Sequence, residues 1–186
     1  YYAANRRLPF PAVGSVTGAE DIAEPEFLYV ISGPEGEDAL SKPVGVAVNE
    51  DDRVFVVDAD SRVVRAYESD GEYLFTFSAI TSDKGAALQL PQRVTIGPDG
   101  NVWVTDRRLP GVFVFSPEDG SFVREFVPKS DITESWGPCA LAFDAEGNLY
   151  VADIGQSQLH RIVAFDAEGN EIARWGTTVP VSQMTQ

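Results

Sequence analysis

The sequence predicts an all-β fold assembled from repeated four-stranded antiparallel units. Three observations carry that expectation. A strand ending in aspartate recurs as VFVVD at 54–58, VWVTD at 102–106 and LYVAD at 149–153. Pro43, Pro91 and Pro138 are spaced by 48 and 47 residues, and Gly71, Gly120 and Gly169 by 49 and 49. Between these markers, short β-branched and aromatic runs are punctuated by Asp-Gly and Glu-Gly pairs, whose glycine accepts the positive φ that hairpin turns need.

Each unit contains four strand signals. The first gives VGVAV (44–48), the turn NEDD, VFVVD (54–58), RVVRAY (62–67), the turn ESDG and YLFTF (73–77). The second gives VTI (94–96), the turn GPDG, VWVTD, VFVF (112–115), the turn SPEDG and FVREF (122–126). The third gives ALAF (140–143), DAEG, LYVAD, HRIVAF (160–165), a second DAEG and EIARW (171–175). Four antiparallel strands in a repeat of this length describe one propeller blade. The repeats span about 40–77, 88–126 and 135–176, within a propeller region of 27–186 that follows an N-terminal extension at 1–26.

The pattern P-x-x-[VL]-[AT]-[VIF], a turn, [VL]-[FWY]-V-x-D, then an aromatic-ended strand and a second turn, resembles the NHL repeat. It covers residues 40–176, about three quarters of the chain. The resemblance implies a β-propeller, commonly six-bladed, of a family that binds partners more often than it catalyses. Two segments depart from the family pattern: RRLPG after the second aspartate and the longer DIGQSQLHR (153–161) after the third. Six blades of this length require about 290 residues, so three blades make half a ring. FLYVISG (27–33) reads as an isolated strand that helps close a blade, and TTVPVSQMTQ (177–186) as the place where another begins. An open arc exposes sheet faces and edges; a longer chain or a half-ring homodimer would cover them.

Composition narrows the chemistry. With 44% apolar residues among 186, the chain is globular in character. Its 14 Lys and Arg against 29 Asp and Glu give a formal net charge of −15, which repels phosphate backbones and disfavours nucleic acid as a partner. A lone Cys139 forms no internal disulfide, and a lone His160 builds no multi-histidine metal centre. Cys139, in an inner strand, reads as core filler. No run of eighteen apolar residues occurs. The opening YYAANRRLPFP reads either as the wet flank of an upstream anchor or signal, which would place the fold outside the cytoplasm, or as an arbitrary boundary.

Strand direction sorts the loops onto two faces. Turns after the first and third strand of each blade share one face and are short and acidic, with Glu50, Asp51, Asp52, Asp70, Asp99, Glu118, Asp119, Asp144, Glu146 and Glu168. They read as turn chemistry and solubility. The opposite face collects what varies: DADSR (58–62), DRRLPG (106–111), DIGQSQLHR, and the connections at 78–90 and 127–137. Recognition sits on variable loops of a rigid scaffold. The candidate partner-binding residues are therefore Arg62, Arg107, Arg108, Trp136, His160 and Arg161, with Lys84 and Lys129 at the edge. Guanidinium groups fork onto carboxylates and phosphates, although pairing with Asp58, Asp60 or Asp106 is the simpler role for any one of them. Asp58, Asp106 and Asp153 are candidate calcium ligands, but a carboxylate repeated at each strand end is explained as an acceptor of loop N–H groups.

Two functions follow. One is a non-catalytic, extracytoplasmic propeller that binds a protein, peptide or glycan through the variable face and needs no cofactor. The other, implied by fold resemblance, is a metal-dependent lactonase or lyase whose central channel uses Asp58, Asp106 and Asp153 with ligands from further blades.

Overall fold

The computed structural model describes residues 30–31, 33, 39–81, 85–132, 136–155 and 160–176. Within them the fold is twelve strands and no helix. The first blade comprises β1 (Pro43–Val48), β2 (Val54–Asp58), β3 (Val63–Tyr67) and β4 (Tyr73–Phe77). The second comprises β5 (Pro91–Ile96), β6 (Val102–Asp106), β7 (Gly111–Phe115) and β8 (Phe122–Phe126). The third comprises β9 (Pro138–Phe143), β10 (Leu149–Asp153), β11 (Arg161–Phe165) and β12 (Glu171–Gly176). Each blade is an antiparallel meander in chain order. All twelve anticipated strands are present, and a register irregularity recurs between the third and fourth strands of every blade, at Ala66/Tyr67, Val114/Phe115 and Ala164/Phe165.

The two strand borders nearest the candidate site fall slightly inside the anticipated ones. β3 begins at Val63, leaving Arg62 in the turn with a left-handed φ of 61°. β11 begins at Arg161, leaving His160 outside the strand. Of the anticipated closing strand at 27–33, Val30, Ile31 and Gly33 are described and none is in a strand. The rest of it, the extension at 1–26, Lys84 and the tail at 177–186 lie outside the described residues.

β1 lies against β5 and β5 against β9, so the first strands of the blades form the inner wall. Between the first two blades, Phe55, Val57, Val64, Ala66 and Phe77 pack on Val94, Val102, Val104, Phe113 and Phe115. Between the second and third, Trp103, Val112, Val114 and Phe126 pack on Leu149, Val151, Val163 and Phe165. The second blade therefore serves both interfaces, one with each face of its strands. This is why VWVTD and GVFVF are buried throughout, whereas a sheet wet on one side would alternate. The third blade shows the complement in β10, which alternates buried and half-buried, whereas β2 and β3 of the first blade are buried at four of five positions. Val46 and Val48 of β1 are exposed, as are Ile162 and Trp175, which lie in register on one face of the third blade. Trp175 stacks on Tyr150 at 6.1 Å, and the face forms an open apolar groove of about 450 Å³.

Turn chemistry fixes the registers. Asp144 accepts the N–H groups of Glu146 at 3.1 Å and Asn148 at 2.8 Å, and Asp99 accepts that of Asn101 at 3.2 Å. Asn49 does the same for Asp51 and Arg53. Hydrogen bonds from the Asn148 side chain and N–H, outweighing burial, hold the Asp144 carboxyl below the usual carboxylate range. The Asn170 side chain heads the same balance at Asp166.

Gly120 carries a second constraint. Its φ is +69°, and a Cβ there would lie 2.5 Å from Phe77 Cγ, inside the first interface. Gly100 has a similar φ, +75°, with nothing within 4 Å of such a Cβ. Gly100→Ala should cost only the left-handed backbone penalty, about 1–2 kcal/mol. Gly120→Ala should cost that plus an overpacking penalty of about 1–3 kcal/mol. Urea unfolding of both variants separates the two; equal losses would mean the Phe77 contact carries no strain.

Candidate functional site

The variable face is organised by the aspartate that ends the second strand of each blade. Asp58, Asp106 and Asp153 are essentially inaccessible to solvent. Asp58 accepts the N–H groups of Ser41 at 2.8 Å and Lys42 at 2.9 Å from the segment leading into β1. It also accepts the Ser61 hydroxyl at 3.0 Å and Arg65 Nη1 at 2.6 Å. Asp106 accepts Gln89 N–H at 2.7 Å and Leu90 N–H at 2.9 Å on one oxygen, and Arg108 N–H at 2.8 Å and Leu109 N–H at 2.9 Å on the other. Asp153 accepts Gly137 N–H at 2.8 Å and Gly155 N–H at 2.9 Å on one oxygen, and Arg161 Nε at 2.6 Å on the other. Each carboxylate thus ties the connection entering a blade to the turn leaving its second strand.

This geometry decides how the three carboxylates fit a metal. Calcium coordination needs carboxylate oxygens free to face the cation. All six oxygens here already take N–H, O–H or guanidinium donors. As they stand, Asp58, Asp106 and Asp153 do not fit a metal ligand set, and no group of three or more potential metal ligands occurs among the described residues.

The six candidate partner-binding residues fall into three places. Arg62 is exposed in the first-blade turn. Arg107 and Arg108 are exposed after β6, with backbone N–H groups fixed by Leu90 O and Asp106. Trp136 is 6% exposed and belongs to the second interface, edge-on to Phe165 at 6.0 Å. Arg107 and Trp136 meet at the seam between the second and third blades, around a cavity of about 140 Å³. His160, exposed, and Arg161 border the apolar groove on the outer face of the third blade. Arg161 is spent structurally: its side chain is 7% exposed and pairs with Asp153.

Sequence reading missed Arg65, which is 2% exposed and pairs with Asp58. It occupies the register position of Phe113 and Val163 in the other blades, so an apolar column contains one cation. That departure from the column is a signal the aligned repeats contain. Arg62 lies nearer in sequence but is not the partner of Asp58, and Asp60 pairs with Lys42 at 3.6 Å. The second blade has Gly111 where the third has Arg161, and its aspartate is satisfied by backbone alone. Arg107 and Arg108 consequently have no ion-pair partner among the described residues. Cys139, on the inner strand β9, is no ready nucleophile: burial, then the charge of Asp153, push its thiol up against the opposing pull of Arg93 and Arg107. This face therefore presents exposed guanidinium groups beside an aromatic and apolar seam.

An arc of four-stranded meander blades, packed face to face with first strands inward, defines the protein as a β-propeller. No protein-family model matches the chain. Over 141 residues it is 26% identical to the protein brain tumor of Drosophila melanogaster, covering 75% of this chain and 13% of that one. Over 137 residues it is 33% identical to peptidyl-glycine alpha-amidating monooxygenase B of Xenopus laevis, covering 71% of this chain and 14% of that one. A virginiamycin B lyase from Staphylococcus aureus superimposes with a TM-score of 0.58 at 15% identity, covering 79% of this chain and 44% of that one. A chain of a nidogen/laminin complex gives 0.53 at 20% identity, covering 72% and 47%. The three repeated blades and these likenesses support an NHL-type β-propeller. It spans 13–14% of the length of these curated relatives.

Removing single aspartate charges should separate their roles. Asp58→Asn removes the carboxylate charge facing the buried Arg65 guanidinium and should cost about 3–5 kcal/mol. Asp106→Asn replaces one accepting oxygen by an NH2 donor, so two backbone N–H groups lose their acceptor, at about 1–3 kcal/mol each. Burial pushes the Asp58 carboxyl up, but hydrogen bonds from Ser41, Lys42 and Ser61 outweigh it, so its net shift is downward from 3.8. A depressed folded-state value contributes stability above the unfolded value, near about 4, that is lost as pH falls through the folded one. Denaturant unfolding from pH 7 to pH 2 should therefore show falling stability below about pH 4, with a shallower fall in Asp58→Asn. Parallel profiles would remove Asp58 from the account.

Proposed function

We propose that this chain is a recognition module, half of a six-bladed propeller acting outside the cytoplasm, that binds an acidic segment of a protein or peptide on its variable face. The observation carrying this reading is the asymmetry of the faces. Turns on one face close on their own Asp and Asn side chains. The other leaves Arg62, Arg107 and Arg108 exposed and without ion-pair partners among the described residues, on a chain whose net charge is −15. Cations left over on a strongly acidic molecule are suited to select an anionic patch. A fold neighbour that belongs to a nidogen/laminin complex supports a protein partner. In this reading the module needs no cofactor of its own. A metal-dependent enzyme, favoured by the likeness to an amidating monooxygenase and a lyase, would require ligands other than Asp58, Asp106 and Asp153.

The test compares capture of binding proteins from native membranes by the wild type, by Arg107→Glu/Arg108→Glu, and by Glu146→Lys on the opposite face. Charge reversal at the arginines should weaken capture at least tenfold, a loss of about 1.4 kcal/mol, while Glu146→Lys leaves it unchanged. Equal capture by all three proteins, or equal loss in both variants, would overturn the assignment of the face. Loss of capture after deglycosylation of the membranes would reassign the ligand to glycan.

A further inference from the structure

We propose that the seam between the second and third blades is a socket for a single carboxylate group, with Arg107 as its charge partner and the indole N–H of Trp136 as a second donor. The inference rests on the variable-face reading and names the chemistry that face selects.

The socket is a cavity of about 140 Å³ whose lining includes Arg107, Trp136, Pro138, Ile154 and the backbone of Gly137 and Gly155. At about 30 Å³ per liquid water, that is space for roughly four or five waters, or for a carboxylate on a short carbon stem. A folded surface does not fit, but a projecting side chain or a chain end does.

Three features suit it to an anion. Arg107 is exposed, lines the cavity, and has no ion-pair partner among the described residues. The equivalent aspartates of the first and third blades each hold an arginine, whereas Asp106 takes four backbone N–H groups and leaves the guanidinium available. The Trp136 indole N–H is buried without a hydrogen-bond acceptor among the described residues. Buried donors are almost always paired, so an unpaired one on a side chain that lines a cavity marks where an acceptor belongs once the indole turns toward it.

The walls are pre-set. Gly137 and Gly155 both donate to one oxygen of Asp153, and Ile154 donates to Gly137 O at 3.0 Å. A Cβ on Gly137 would lie 3.1 Å from Gly155 N, so the two loops approach as closely as glycine allows. The backbone walls of the socket therefore need little ordering on binding. Its apolar walls and two donors match a carboxylate and its carbons. A phosphate, with more charge and more acceptor oxygens, would leave several of them unpaired.

The experiment follows the Trp136 indole resonance of the uniformly 15N-labelled 186-residue chain during titration. N-acetylglutamate α-amide presents a side-chain carboxylate, N-acetylalanine a chain-terminal one, and N-acetylglutamine α-amide a neutral isostere. Inorganic phosphate is the fourth probe. At least one carboxylate should shift the resonance saturably, and the more effective of the two identifies the source. Arg107→Met, which keeps the aliphatic stem, should weaken that binding at least tenfold. No shift, an equal shift by the neutral amide, a stronger one by phosphate, or unchanged affinity in Arg107→Met would each overturn the socket. Partner capture that depends on Arg107 and Arg108 with a silent indole would sink the socket alone. A responsive indole with capture indifferent to charge reversal would sink the face reading alone.

Discussion

Everything on the variable face depends on a buried carboxylate at the end of the second strand of each blade. A charge without solvent contact is costly unless its oxygens are filled with donors. Asp58, Asp106 and Asp153 meet that requirement by drawing two separate pieces of chain together: the connection arriving from the previous blade and the turn departing from the strand. The inner strand is thereby started at a fixed height, which is why β1, β5 and β9 each open on a proline whose missing N–H removes nothing from this arrangement. The loops can then differ in length and sequence while their anchor points remain constant.

The blades differ in how each carboxylate is neutralised, and that difference shapes the chemistry. The first uses Arg65 from within its third strand, the third uses Arg161 directly across the ladder, and the second uses amides alone. Where a guanidinium is drawn inward it ceases to be a recognition group. Where the backbone suffices, neighbouring arginines remain outside. The second blade, whose aspartate takes no guanidinium, leaves Arg107 and Arg108 exposed, and Arg62 stays exposed beside the Asp58–Arg65 pair of the first.

The strands were legible because their signals are local: alternation, turn residues and spacing all lie within a few positions of one another. The aspartate network was legible in outline, since a carboxylate repeated at equivalent strand ends invites a structural explanation. The arginine assignments were less so. Arg62 and Arg65 are three residues apart, and whether either reaches Asp58 depends on strand register and on which sheet face it occupies, not on sequence distance. Arg161, expected in the strand HRIVAF and counted among the variable-face cations, begins β11 opposite Asp153 and is drawn inward by it. The seam around Trp136 was illegible as a cavity, because residues from the turn after β6, from the connection into β9 and from the turn after β10 meet there only after the second and third blades pack.

The doubly covered second blade also bears on how the molecule breathes. Its central strands, β6 and β7, are buried from end to end and β2 and β3 nearly so, whereas the third blade keeps an apolar face in solvent and the inner strand β1 exposes Val46 and Val48. Local opening free energy follows buried apolar contact. Amide exchange should therefore be slowest through Val102–Phe115 and progressively faster toward β1 on one side and β12 on the other. Subglobal opening starts at the two flanks, and the second blade is the last element to surrender its protected amides.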